Sequence, residues 1–189
     1  MAHTPARPTA ALPRAFYARP AEVVAPALLG QVLVHRTEGH VRRARIVETE
    51  AYVGAHDLAS HASRGRTTRT DVMFGPPGHA YVYLIYGMHH MLNVVVGEEG
   101  DPQAVLVRAA EPLAGLEARL DGPGRLARAL GLTLADNRTD LLGPHLWLEA
   151  GSPPAHVVTT ARVGVDYAGD WTAAPLRFYD AASPHVSRP

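Results

Sequence analysis

Apolar residues along this 189-residue chain fall mostly in short, β-branched runs with alternating polar positions, and only two stretches carry helical spacing. Residues 21–29 read as a helix stopped by Gly30, with Pro26 inside it forcing a kink or a late start. Residues 31–35 and 41–51 read as strands joined at Thr37-Glu38-Gly39, a hairpin signal. Residues 54–79 lack periodicity and are rich in Gly, Arg and Thr, so they predict a long loop, and long loops in compact domains usually serve function. Residues 80–86 and 91–96 form a second predicted hairpin punctuated by Gly87, an acidic turn follows at 97–103, and 104–109 is a further strand. Helical spacing extends over 111–135, with Leu126, Leu130 and Leu134 following a Gly122-Pro123-Gly124 break. Late strands are predicted at 146–148 and 157–165. Strands in hairpins outnumber helices, which predicts an α+β fold: one domain on a curved antiparallel sheet with peripheral helices and a protruding hairpin. Residues 1–14 read as a flexible arm and residues 15–189 as the single domain.

Composition narrows the chemistry. The chain has no cysteine, which excludes disulfides, thiolate metal sites and a cysteine nucleophile. All 18 basic residues are arginine, so the only amine for Schiff-base chemistry is the N-terminal one, and a Walker-type phosphate loop is excluded. The first fourteen residues hold three prolines and no apolar core, unlike a secretory signal, and the longest apolar stretch, 80–96, is too short and polar to span a bilayer. A cytoplasmic, nucleoid-associated protein without signal peptide or membrane contact is expected. The arginine-rich, lysine-free, alanine-heavy composition points to a GC-rich bacterial genome. Net charge is zero, but residues 1–69 carry ten arginines against five acids. Arg42, Arg43 and Arg45 together with Arg64, Arg66 and Arg69 could make one phosphate-facing patch or an ordinary solvated face.

Three groups of side chains carry candidate chemistry. Glu48 and Glu50 alternate along one strand, which puts them on one face, the face of Ile46, with Cα atoms roughly 6.5 Å apart. A carboxylate on an apolar strand face is costly unless paired or used. It is either a general base or an ion pair with Arg42 or Arg45, and the spacing also suits an inverting glycosidase. Tyr52, Phe74, Tyr81, Tyr83 and Tyr86 are five of the twelve aromatics, packed into 35 residues. Tyrosines suit the stacking of a planar ligand, although Tyr81 reads as sheet core. Tyr86, beside Gly87 at the hairpin tip, suits a wedge entering a base stack. His56 and His61 flank Asp57, and His89 and His90 are adjacent, but these spacings match no common zinc pattern and no metal is expected. Asn93 and Arg108 lie inside apolar strands and need buried partners. Arg108 could pair with Glu50 or hold a water or phosphate beside it.

In order along the chain, these residues resemble the alkyladenine (3-methyladenine) DNA glycosylase family, the methylpurine glycosylases. The similarity runs from Phe16-Tyr17 to the C-terminus, nearly the whole chain. It rests on Arg45-Ile46-Val47-Glu48-Thr49-Glu50-Ala51-Tyr52, Ala59-Ser60-His61, Met73-Phe74 and Pro77-Gly78. It continues through Tyr81-Val82-Tyr83-Leu84-Ile85-Tyr86-Gly87-Met88-His89, Asn93, Leu106-Val107-Arg108-Ala109-Ala110-Glu111-Pro112, Gly122-Pro123-Gly124 and Ala161-Arg162-Val163-Gly164. The resemblance implies a mixed domain with a curved antiparallel sheet. It implies a cofactor-free, monofunctional glycosylase, a monomer on double-stranded DNA, that excises alkylated purines such as 3-methyladenine and 7-methylguanine to initiate base excision repair, with ethenoadenine and hypoxanthine open as further substrates. Glu50 would activate the attacking water and Arg108 would help hold it. Tyr52, His61 and Tyr83 would enclose the flipped base, Asn93 would crowd the exocyclic amine of guanine, and Tyr86 would fill the gap left in the duplex. Arg64, Arg66, Arg69 and Arg125 are the candidate backbone contacts, Arg125 standing where the family usually has lysine. A non-catalytic damaged-DNA binding module is the alternative.

Overall fold

The computed structural model describes residues 10–188. Eight strands form one antiparallel sheet: β1 (Val32–Thr37), β2 (His40–Tyr52), β3 (Ala80–Ile85), β4 (His89–Val96), β5 (Gln103–Pro112), β6 (Leu146–Glu149), β7 (Val157–Thr160) and β8 (Arg177–Asp180). Their order is β3-β4-β5-β2-β1-β6, and β8 adds to β2 with β7 outside it. The expected α+β domain on a curved antiparallel sheet is what the chain forms, with three short helices, α1 (Arg14–Tyr17), α2 (Ala21–Ala27) and α3 (Pro123–Leu130). No helix among the described residues is long and apolar enough to cross a membrane.

The long strand β2 is the axis of the molecule. One edge pairs with β5 along most of its length. The other edge is shared: residues 40–45 pair with β1, and 48–50 pair with β8. Where the partner changes, the β2–β5 ladder slips twice, between Ile46 and Glu48 and between Glu48 and Thr49. A bulge adds a residue and so reverses which face later side chains point to. Ala44 and Ile46 lie in the main core before the slip, and Ala51 and Val53 lie in the same core after it. Thr49 donates its hydroxyl to the Ala25 carbonyl of α2, 2.8 Å away. Glu48 and Glu50 therefore face away from the core that holds Ile46, which corrects the expectation from strict alternation.

That core packs α2 and α3 against one face of the sheet, through Val24, Ala25 and Leu28 and through Leu126, Ala127 and Leu130. Pro26 does not delay α2. The helix begins after Pro20 and ends early, at Ala27, and Gly30 then turns at φ 84°. A side chain there would collide with the Ser152 carbonyl oxygen, so the chain can pass only with glycine. Helical spacing over 111–135 overstates α3, whose eight residues run from Pro123 at its first turn to Leu130 and are capped by a left-handed Gly131. Residues 111–112 complete β5, and Leu134, expected on the helix face, is exposed in a separate 3-10 turn.

Two further differences matter for function. Most of the expected arm lies outside the described residues, but Ala11 bridges Glu149 and Leu12 donates its N–H to the Leu148 carbonyl at 2.8 Å. Arg14 begins α1 and forks onto Asp140 at 2.9 and 2.8 Å. The strand expected over 157–165 stops at Thr160, because Arg162 and Val163 are drawn inward to buried carboxylates.

Candidate active site

The face of the sheet opposite the main core carries a cavity of about 270 Å³. Strand β2 supplies Glu50 and Tyr52, β3 supplies Tyr81 and Tyr83, β4 supplies Asn93 and β5 supplies Arg108. His61 enters from a 3-10 turn, His61–Arg64, inside the long 54–79 loop. Tyr86 stands at the rim on the β3–β4 hairpin. The structure thus brings together every residue expected at the catalytic centre and base slot.

Glu50 is wholly buried. One carboxylate oxygen accepts the Val163 backbone N–H at 2.7 Å, and the other accepts the Tyr52 hydroxyl at 2.9 Å. Arg108 lies 3.4 Å from it through Nη1. Burial raises its pKa above the usual glutamate value, opposed first by the Arg108 charge and then by the Val163 and Tyr52 donors. The carboxylate is thus buried, held by three donors, and faces the cavity. The pairing with Arg42 or Arg45 does not occur: Arg45 pairs with Glu111, and Arg42 reaches the Leu130 carbonyl.

The slot walls are aromatic. The rings of Tyr81 and Tyr83 lie 5.2 Å apart, and His61 packs edge-on against Tyr83 at 4.7 Å. His61 Nδ1 is 3.0 Å from the Tyr81 hydroxyl, so Tyr81, expected only as sheet core, also holds His61 in place. Burial, Arg69 and Arg64 push the His61 pKa down to about 4, leaving the ring neutral at physiological pH. Burial likewise raises the pKa of Tyr52 and of Tyr83, so both keep their protons. Asn93 is buried and donates to the Tyr81 carbonyl at 3.2 Å, which fixes its amide beneath the slot.

Tyr86 is 85% exposed and sits at φ 52°, beside Gly87 at φ 68°. Two successive residues at positive φ are what a tight hairpin turn of this hand needs, and a tyrosine there costs roughly 1 kcal/mol. With Met88, also exposed, it makes an apolar tip. Tyr86→Asn supplies the residue such a turn prefers. It is expected to raise thermal stability by about 1 kcal/mol while weakening any function of the tip. An unchanged or lower Tm would contradict the strain.

The candidate backbone contacts are differently engaged. Arg64 and Arg69 are exposed near the slot, with Arg69 over the Tyr83 ring at 4.8 Å. Arg66 is tied to Asp71 at 2.7 Å, and Arg125 to Asp121 at 2.6 Å. Arg43 and Arg45 lie on the far half of β2 and are paired with Glu149 and Glu111, which favours the ordinary solvated face over a phosphate-facing patch there. His56 packs against Trp171 rather than joining His61. No three His, Asp or Glu side chains among the described residues are placed to hold a metal.

Sequence reading missed two supports. Asp57 and Arg162 form a buried pair, both fully enclosed, with Nη2 to Oδ1 at 2.9 Å. Asp57 also accepts the N–H groups of Val53 and Ala59, and Arg162 lies over the Tyr52 ring at 4.8 Å. An Asp among loop residues and an Arg within an apolar stretch were the available signals. The second is Val163, whose contribution is a backbone N–H and so leaves no mark in the sequence.

The sequence profile of the family described as Methylpurine-DNA glycosylase (MPG) matches residues 15–184. A protein of Myxococcus xanthus (strain DK1622), provisionally named a 3-methyladenine DNA glycosylase, is 59% identical over 181 residues, covering 94% of this chain and 93% of its own length. Relatives with the same provisional name are 48% identical in Methanocella arvoryzae and 46% identical in Legionella pneumophila (strain Lens), covering 94% of this chain and 96% and 98% of their own lengths. With nearly the whole chain matched, it belongs to the methylpurine-DNA glycosylase family.

Proposed function

We propose that the chain is a monofunctional DNA glycosylase that hydrolyses the N-glycosidic bond of cationic alkylated purines, 3-methyladenine and 7-methylguanine, flipped from duplex DNA. One observation carries this reading: a buried carboxylate, Glu50, faces a tyrosine-lined cavity in which no neighbouring group is a ready acid. The His61 ring is neutral, and Tyr52 and Tyr83 hold their protons tightly. Among the described residues such a site offers a base for water but no side chain poised as an acid for a neutral leaving group. It therefore suits a base that already carries positive charge, which leaves as a neutral purine. Tyrosine π faces also favour a cation over a neutral ring.

In this mechanism the flipped base stacks against the Tyr83 and His61 walls, with Tyr52 opposite. Arg108 and Glu50 hold a water beside the anomeric carbon, Glu50 takes its proton, and the oxygen joins C1′ as the bond to the purine breaks. Asn93 crowds the position of a guanine exocyclic amine. Tyr86 occupies the vacated stack, offsetting an extrusion cost of a few kcal/mol. With no lysine, no side-chain amine is present for a lyase step, and the product is an abasic site.

The test is base release from a labelled duplex carrying methylated purines, with EDTA present and alkali added afterwards. Nicking that needs alkali and is indifferent to EDTA is the expected result. Tight binding of the same duplex with no nicking would instead establish a non-catalytic damage-binding module.

A further inference from the structure

The C-terminal segment reaches behind the catalytic arginine. Glu48, fully buried, is not in the cavity but one step behind it. Its Oε1 accepts from Arg108 Nε at 3.0 Å, Arg177 Nε at 2.7 Å and the Ser187 hydroxyl at 2.9 Å, and its Oε2 accepts the Ser187 backbone N–H at 2.7 Å. The Ser187 oxygen in turn accepts from Arg108 Nη2 at 3.3 Å. Arg177 closes the network on the Arg188 carbonyl. Glu48, Glu50, Arg108 and Arg177 thus form a buried group of balanced charge. Arg108 is gripped by Nε and Nη2 on its rear side, which leaves Nη1 turned to Glu50.

We infer that Ser187, three residues beyond the family's matched region, is a positioning residue that fixes Arg108 against Glu50 and the attacking water. The inference rests on the glycosylase reading and deepens it. Two observations favour a positioning role over simple tail docking. Ser187 meets Glu48 with both its backbone N–H and its hydroxyl, and the hydroxyl is shared with the arginine. Both partners are nearly or wholly buried, where water cannot substitute for a lost donor. The tail therefore backs the residues that line the cavity, through Glu48 and the rear edge of Arg108.

The charged and titratable groups facing Glu50 are Glu48 on its own strand, Arg108 from β5, and Tyr52 and Tyr83 of the slot, with Arg177 of β8 behind Glu48. Loosening Arg108 removes the principal charge that favours ionised Glu50. Ser187→Ala keeps the backbone N–H but loses the hydroxyl. Single-turnover release of 7-methylguanine should fall about tenfold, as for loss of one hydrogen bond to a charged group. The acid limb of its pH profile should move to higher pH, while Tm and affinity for an abasic-site duplex stay close to wild type. Ser187→Thr, which restores a hydroxyl, should recover both rate and profile. A wild-type rate and acid limb in Ser187→Ala, or a slowed variant with an unmoved limb, would overturn the inference while leaving the glycosylase reading intact. Failure of the wild-type protein to release base in the parallel assay would overturn that reading and this inference together.

Discussion

Glu50→Gln should bind methylated duplex as tightly as the wild type and release base at least about a thousandfold more slowly, within the range for loss of a general base. The amide keeps the shape of the side chain but cannot take a proton from water. The wild-type profile should show one acid limb, because release needs the ionised carboxylate. Burial raises the Glu50 pKa, so the limb lies above the ordinary glutamate value. His61, with its pKa near 4, stays neutral across that limb and should not shape it above that pH. Stability has the opposite sign. A carboxyl whose folded pKa is raised favours folding below its unfolded value, and loses that contribution as pH rises through the folded value. Ionised Glu50 is therefore a net cost at neutral pH, and Glu50→Gln should melt no lower than wild type. A variant that releases base at near wild-type rate would remove Glu50 from the reaction, and one that melts far lower would show the carboxylate to be a structural anchor instead.

Asp57→Ala should give the largest stability loss, about 3–5 kcal/mol, because it leaves the fully buried Arg162 guanidinium without its charge partner. The N–H groups of Val53 and Ala59 lose their acceptor as well. For a domain of this size that loss corresponds to a fall in Tm of roughly 10 °C. Asp57→Asn, which keeps one acceptor oxygen, should lose less. Calorimetry of the two variants decides the matter: a fall of only a degree or two in Asp57→Ala would mean that water reaches Arg162. Activity should suffer beyond the effect of unfolding, since Arg162 lies over Tyr52 and adjoins Val163, two of the groups that hold Glu50.

The parts of the molecule that write themselves into single side chains were legible. Hairpins at 37–39 and at Gly87, the helix before Gly30 and the long loop at 54–79 follow from turn residues and periodicity, and the structure contains each of them. The seven residues expected at the slot and tip line one cavity. What escaped depends on partners remote in sequence. Strand β8 is four residues long and forms only because β2 offers a free edge after β1 leaves it. The face of Glu48 and Glu50 could not be read by counting, since the slip at Val47 is a property of two strands together. The tail's grip on Glu48 spans 139 positions and has no local signature at all.

The double slip in the β2–β5 ladder also governs how this enzyme can vary in length. Replacing a residue on β2 alters one contact. Straightening the ladder with Val47 still in place would restore unbroken alternation and force a choice between the two halves of the strand. Either Thr49 and Ala51 would keep their seats against α2, and Ala44 and Ile46 would turn outward, or the carboxylates would be driven into an apolar interior. A one-residue change in length between Ile46 and Glu50 therefore has to be matched by the gain or loss of a bulge, because packing holds the facing of both halves of the strand.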